Sequence, residues 1–192
     1  MANTTANRHF IHVPDGYRSR EAALFVAQLD DQLALLRADL EGATTDELSW
    51  QAAPGMNTIG MLLAHNAIVE AFWMGYVRGT EADITATIGI GMDDDGMPIP
   101  EGAPPPANLA GRDLAWYLDL LARARDDLKR GTRDLTDADL ESERTRPRPN
   151  GQMRTTNVRW IYYHLLEHFA GHYGQILMLR HQYRTAQALD RA

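Results

Sequence analysis

Three histidines carry the first chemical signal in this 192-residue chain. His168 and His172 stand one helical turn apart, in a run whose apolar positions Ile161, Leu165, Ile176 and Leu179 fall at helical spacing on the same stripe. His65 interrupts a second such stripe, formed by Leu62, Val69, Phe72 and Tyr76. Imidazoles left unpaired in an apolar interior cost roughly 1–3 kcal/mol each, so three of them need a partner. One partner is a metal ion in the core: side chains at i and i+4 lie one above the other on a helix, and a ring from a facing helix completes a three-nitrogen set. The other is a set of backbone or carboxylate groups around ordinary core histidines. Spacing alone leaves both open. His164 and His181 lie at the edge of the stripe or beyond it and read as structural or supporting residues.

The elements that must position these rings are helices. Apolar residues at Val26, Leu29, Leu33, Leu36 and Leu40 predict a first helix from about Arg18 to Glu41, closed by Gly42. A polar connection, Thr44 to Trp50, with room for one helical turn, leads to a turn at Pro54-Gly55. The second helix starts at Asn57 or Thr58, either able to cap it, and runs to Arg78 before Gly79. Thr80 to Asn108 reads as a long crossover holding a short extended piece at Ile84 to Ile90. The third helix is expected from Leu109 to Arg130, with Leu114, Leu118, Leu121 and Leu128 inward and Gly131 as its stop. A charged stretch ending Arg146-Pro147-Arg148-Pro149-Asn150-Gly151 precedes the fourth, Thr156 to Ala188. With no strand-rich region or repeat, the pattern supports an all-α bundle. One domain over 1–192 is expected, residues 1–17 forming an irregular arm.

Composition narrows the function classes. Hydrophobic residues make up 44 % and charged residues 23 %, which is ordinary globular usage rather than a disordered mix. The net charge of −7, with basic residues scattered, argues against nucleic acid. No stretch reaches the ~18 apolar residues of a membrane span, and the polar start lacks a secretory core, so the cytoplasm is the expected location. There is no cysteine, so disulfides, thiolate metal sites and a cysteine nucleophile are excluded and any thiol must come from outside.

The phrase from Asn57 to His65, followed by Glu70 and Trp73, together with Glu167-His168 through His172-Tyr173-Gly174-Gln175, resembles the DinB/YfiT-like superfamily over most of the chain. The resemblance implies an up-down-down-up four-helix bundle with a long crossover between the second and third helices, often a homodimer. It implies one divalent ion, nickel, zinc or iron, on His65, His168 and His172, with water in the open positions. Related proteins include S-transferases and a maleylpyruvate isomerase that use mycothiol, bacillithiol or glutathione. The function expected is therefore a metal-dependent transferase or isomerase acting on a small molecule with such a thiol. The alternative is a non-enzymatic, stress-associated metal-binding bundle, and what separates the two is whether a pocket reaches the open coordination position.

Other residues are weighed against that centre. Glu70 lies about 140° around an ideal helix from His65, off the ligand face, and reads as surface more readily than as ligand support. Glu167 points elsewhere, and Gln175 either orients a ligand or holds a neighbouring helix. Arg148, Arg154 and Arg159 could receive a carboxylate, though a solvated loop is the simpler reading. Asp93, Asp94 and Asp95 lack the pattern of a calcium loop and read as surface. The four tryptophans read as core and interface residues.

Overall fold

The computed structural model describes residues 9–148 and 150–189; of the expected N-terminal arm, residues 1–8 lie outside them. Four long helices dominate: α1 (Arg20–Asp39), α3 (Ile59–Arg78), α5 (Leu114–Thr132) and α7 (Val158–Leu189). Three single-turn helices, α2 (Thr45–Ser49), α4 (Ile84–Ile88) and α6 (Asp137–Glu141), sit in the connections. A two-stranded antiparallel hairpin, β1 (Glu143–Pro147) with β2 (Met153–Asn157), leads into α7. The protein is thus mostly helical, and the hairpin corrects the purely α expectation. Proline and arginine in that stretch hid a strand pair whose faces show no apolar alternation. Among the described residues no helix is long and apolar enough to cross a membrane.

Helix boundaries follow local chemistry. The hydroxyls of Ser19, Thr44 and Thr58 accept from the backbone N–H groups of Ala22, Glu47 and Met61, satisfying donors that have no partner within the helix. Gly79 closes α3 in the left-handed conformation that glycine adopts without steric cost. The expected extended piece at Ile84 to Ile90 is instead helical over Ile84–Ile88, because the Asp83 carboxylate caps it at Ala86 and Gly89 ends it. Likewise α5 begins later than expected, at the Asp113 cap, and passes through Gly131. That glycine has a packing reason: a Cβ there would lie 2.7 Å from Met74 Cε. At the opposite end of the same contact, a Cβ on Gly60 would land on the Tyr117 hydroxyl. These two glycines let α3 and α5 approach closely.

Around the core, α3 packs against α5 and α7, and α1 against α7 and α5. Glu21 near the start of α1 meets Arg159 near the start of α7, and Asp39 at the end of α1 meets Tyr173 further along α7. Thr132 at the end of α5 meets Tyr162 in the first turns of α7.

This enclosure changes the reading of α3. Leu62 is buried, but His65, Val69, Phe72 and Tyr76 lie on its less buried side, while Met61, Ala64, Ile68, Ala71 and Met74 are fully covered. A helix apolar nearly all round gives periodicity little contrast, so the apolar stripe carrying the histidine does not mark the deepest face.

Glu70 is not on the surface. It is 3 % exposed and accepts two hydrogen bonds from the Arg125 guanidinium, at 2.8 and 3.0 Å, while Asp30 accepts a third at 3.0 Å. The cluster ties α1, α3 and α5 together. A buried charge keeps its ionisation only when paired and hydrogen-bonded in this way, and the two carboxylates raise the Arg125 pKa against the opposing effect of burial.

Candidate metal centre

The fold brings His65 on α3 to His168 and His172 on α7. His168 Nε2 lies 3.1 Å from His65 Nε2 and 3.2 Å from His172 Nε2. One ligand atom from each ring falls within 4.8 Å of the others, a group that could hold a metal ion. All three side chains are partly exposed. The cluster therefore sits on the flank of the bundle, a correction to the core position expected from the stripes.

What surrounds the rings fixes their protons. His65 Nδ1 is 2.7 Å from Asp95 Oδ2, and His172 Nδ1 is 2.8 Å from Gln175 Oε1. Both partners are acceptors, so each Nδ1 carries the donated hydrogen and each Nε2 is left with a lone pair in the neutral ring. Burial, then the neighbouring His172, His65 and His164, push the His168 pKa down to about 3. His172 is also lowered, mainly by burial. Neutral rings place two or three lone pairs face to face, and one hydrogen on His168 Nε2 cannot satisfy both neighbours at once. An electropositive guest can. The donor set thus fits a divalent ion that accepts imidazole nitrogen, such as zinc or nickel, with acceptors behind the ligands of the kind that orient metal-bound histidine.

Asp95 is the residue that sequence reasoning missed. The Asp93 to Asp95 run was expected at the surface, yet Asp95 is 2 % exposed, its second oxygen accepting the Met97 N–H at 2.9 Å. Its neighbour Asp94 accepts from Gly91 N–H. A turn whose carboxylates bind their own backbone folds inward rather than into solvent.

The remaining candidates separate clearly. Gln175 is hydrogen-bonded to His172 on its own helix, and among the described residues no side-chain hydrogen bond ties it to a neighbouring one. His164 stacks on Trp160, meets Trp73 edge-on, and shares a hydrogen bond with the exposed Glu167. His181 is exposed. Arg159 is engaged by Glu21 and Glu141, which removes it as a free carboxylate receiver. Arg148 is exposed, whereas Arg154 lies over the Trp160 ring. Trp73 and Trp160 meet edge to face, and Trp50 packs on Tyr183.

One cavity opens on the histidines, and a second meets it at Gln175. A shallow one of about 320 Å³ is lined by His164, Glu167, His168, Gly171, His172 and Gln175. A groove of about 460 Å³ begins at Gln175 and is walled by Leu62, Met56, Met97, Met178 and Leu179. The centre is therefore open to small molecules on its α7 side, with an apolar, methionine-lined groove one turn further along the same helices.

Comparison with known proteins agrees with this arrangement. None of the curated proteins matches the chain. A crystal structure described as the conserved protein of locus from Enterococcus faecalis shares the fold, with a TM-score of 0.61 at 14 % identity, covering 83 % of this chain and 94 % of that one. The sequence profile of the mycothiol S-transferases matches residues 24–185, a span that includes all three histidines and both cavities. The chain belongs to the mycothiol S-transferase family, one of the DinB/YfiT-like families.

Proposed function

We propose that this protein is a metal-dependent S-transferase that uses an external low-molecular-weight thiol, mycothiol before bacillithiol or glutathione, with His65, His168 and His172 as the ligands of one divalent ion. The observation carrying the reading is the convergence of three imidazole Nε2 atoms, two of them backed by acceptors at Nδ1. When bound there, a divalent ion supplies Lewis acidity, lowering the pKa of a thiol or water so that its anion is available near neutral pH. The chain's own residues do the rest. Asp95 and Gln175 hold the Nδ1 hydrogens and so keep the Nε2 lone pairs directed at one point. Glu167 holds His164, whose ring closes one side of the mouth. The methionine-lined groove receives an apolar part of a substrate, since polarizable, unbranched side chains adapt to varied shapes.

The open mouth favours an enzyme over the non-enzymatic metal-binding bundle, because a closed structural site needs no cavity at its ligands. The contacts between helix ends support an up-down-down-up order for α1, α3, α5 and α7 within one domain. We further propose a cytoplasmic homodimer, for which exposed Leu24, Leu35 and Tyr163 offer apolar surface; sedimentation mass tests it.

Elemental analysis of untagged protein tests the centre, and thiol consumption with an electrophilic acceptor tests the reaction. About one transition metal per chain, lost in His168→Ala, is expected, with turnover that disappears on chelation and returns on reloading. Unchanged metal content in His168→Ala defeats the ligand assignment. Metal-loaded protein that transfers none of the three thiols favours the binding reading.

A further inference from the structure

The hairpin register sets Arg146 directly opposite Arg154. The Arg146 guanidinium carbon stands 4.5 Å from the centre of the Trp73 ring and 5.9 Å from that of Phe72. That of Arg154 stands 4.2 Å from the Trp160 ring. The two indoles are 5.8 Å apart, His164 touches both, and His164 lies 5.7 Å from His168. Two stacked guanidinium groups therefore stand at the end of a continuous ring path that starts at the histidine centre.

Like charges placed opposite each other across a strand pair are destabilising unless something offsets them. Here no carboxylate of the described residues pairs with either arginine, in contrast to Arg125 and Arg180, which Glu70 and Glu47 engage. Glu167 feels Arg154 only at a distance, its own oxygens being engaged by His164 and Tyr163. The Arg146 Nε is buried without any hydrogen-bond partner. Burial disfavours the charged form of Arg146, opposed by Tyr76 and reinforced by Arg154 and Arg148. Stacking on an indole fixes the plane of a guanidinium and leaves its N–H edge free for a planar anion.

We propose that Arg146 and Arg154 form an anion subsite that receives a carboxylate of the small-molecule substrate whose reacting end lies at the histidine centre. The proposal rests on the transferase reading and gives that reading a substrate class: one of the two reaction partners, acceptor or thiol, bears a carboxylate. Guanidinium pairs with carboxylate through two parallel hydrogen bonds, which supplies orientation as well as affinity. The transfer itself is unchanged by the subsite, which binds a part of the molecule that does not react.

Two arms test it on the full-length, metal-loaded protein. In the first, tryptophan fluorescence is titrated with succinate against chloride at matched ionic strength, since Trp73 and Trp160 lie beneath the subsite. A saturable change is expected in the parent and in Arg148→Gln, with apparent Kd raised at least tenfold in both Arg146→Gln and Arg154→Gln. An equal, non-saturating response in all four overturns the subsite. In the second, acceptors and thiols that carry either a carboxylate or the matching carboxamide are compared. Arg154→Gln should raise KM about tenfold for the carboxylate partner with kcat held, leaving its carboxamide unaffected. Whichever partner's KM moves is the source of the anion, and no movement for either overturns the substrate role. Absence of turnover in the parent sinks the transferase reading alone, because the first arm needs no reaction.

Discussion

Replacing Asp95 by asparagine should damage the centre at least as much as replacing it by alanine, although asparagine is its isostere. The carboxylate does two things at once: Oδ2 accepts from His65 Nδ1 and Oδ1 accepts from Met97 N–H. In Asp95→Asn the amide oxygen must stay on Met97, because turning the NH2 group there would set donor against donor. The NH2 group then faces His65 Nδ1, makes that nitrogen the acceptor, and moves the ring hydrogen to Nε2, where it points at His168. Asp95→Ala leaves both tautomers accessible. If the two are equally populated, selecting the right one costs only about 0.4 kcal/mol, a factor of two. The larger loss is the charge-assisted hydrogen bond, about 1.5–3 kcal/mol. That range agrees with the ten- to hundredfold affinity loss, about 1.4–2.8 kcal/mol, typical when the partner behind a metal-bound histidine is removed. Competition with a zinc-sensitive fluorescent chelator measures it, with thermal melts of the metal-free proteins checking the fold. The expected order of affinity is parent, then Asp95→Ala, with Asp95→Asn equal to it or weaker. Zinc affinity of Asp95→Asn within twofold of the parent would refute the tautomer argument.

Other predictions concern the frame around the centre. Glu70→Ala leaves the Arg125 charge buried with Asp30 alone and should lower unfolding free energy by about 3–5 kcal/mol in urea titration, while adding Arg125→Met recovers much of it; no recovery would mean the pair is not the reason for the loss. Gly60→Ala forces a methyl onto the Tyr117 hydroxyl and should cost about 1–3 kcal/mol by the same assay, a neutral result showing that α3 and α5 can separate freely. His168 has a folded-state pKa far below its ordinary 6.5, so between about 6.5 and about 3 the unfolded chain binds a proton that the folded chain refuses. Stability of the metal-free protein should therefore fall as pH drops below about 6.5, and His168→Gln should flatten part of that slope; identical pH profiles would contradict it.

Much of this was legible because helices write their burial into spacing. The caps at Thr58 and Gly79, the stripe of α1, and His168 with His172 one turn apart are local features that a linear reading recovers. Asp95 is thirty residues from His65 in an irregular connection, and no periodicity links a loop residue to the helix it covers. A signal did exist: Asp95-Gly96-Met97-Pro98 is a turn with apolar residues attached, unlike a solvated acidic run. Glu70 offered a similar signal as the sole carboxylate in α3, where burial without a partner would be costly. Its partner Arg125 lies on another helix, so the pairing belongs to the packing. The hairpin escaped because Arg146 and Arg154 face aromatic rings of α3 and α7, and Arg144 binds carbonyls at the end of α3, with no core of the hairpin's own.

The donors at the centre come from chain segments about a hundred residues apart, and the acceptor behind one of them from a third segment. Such a set is complete only when α3, the crossing loop and α7 have all docked. An ion that needs all three nitrogens therefore binds the folded chain in preference to the unfolded one, and contributes RT ln(1 + [ion]/Kd) to stability, about 2.7 kcal/mol when the free ion is a hundred times its Kd. With the proposed ligand set, the melting temperature would become a gauge of free metal, and chain that has not finished folding would be marked by its inability to retain the ion.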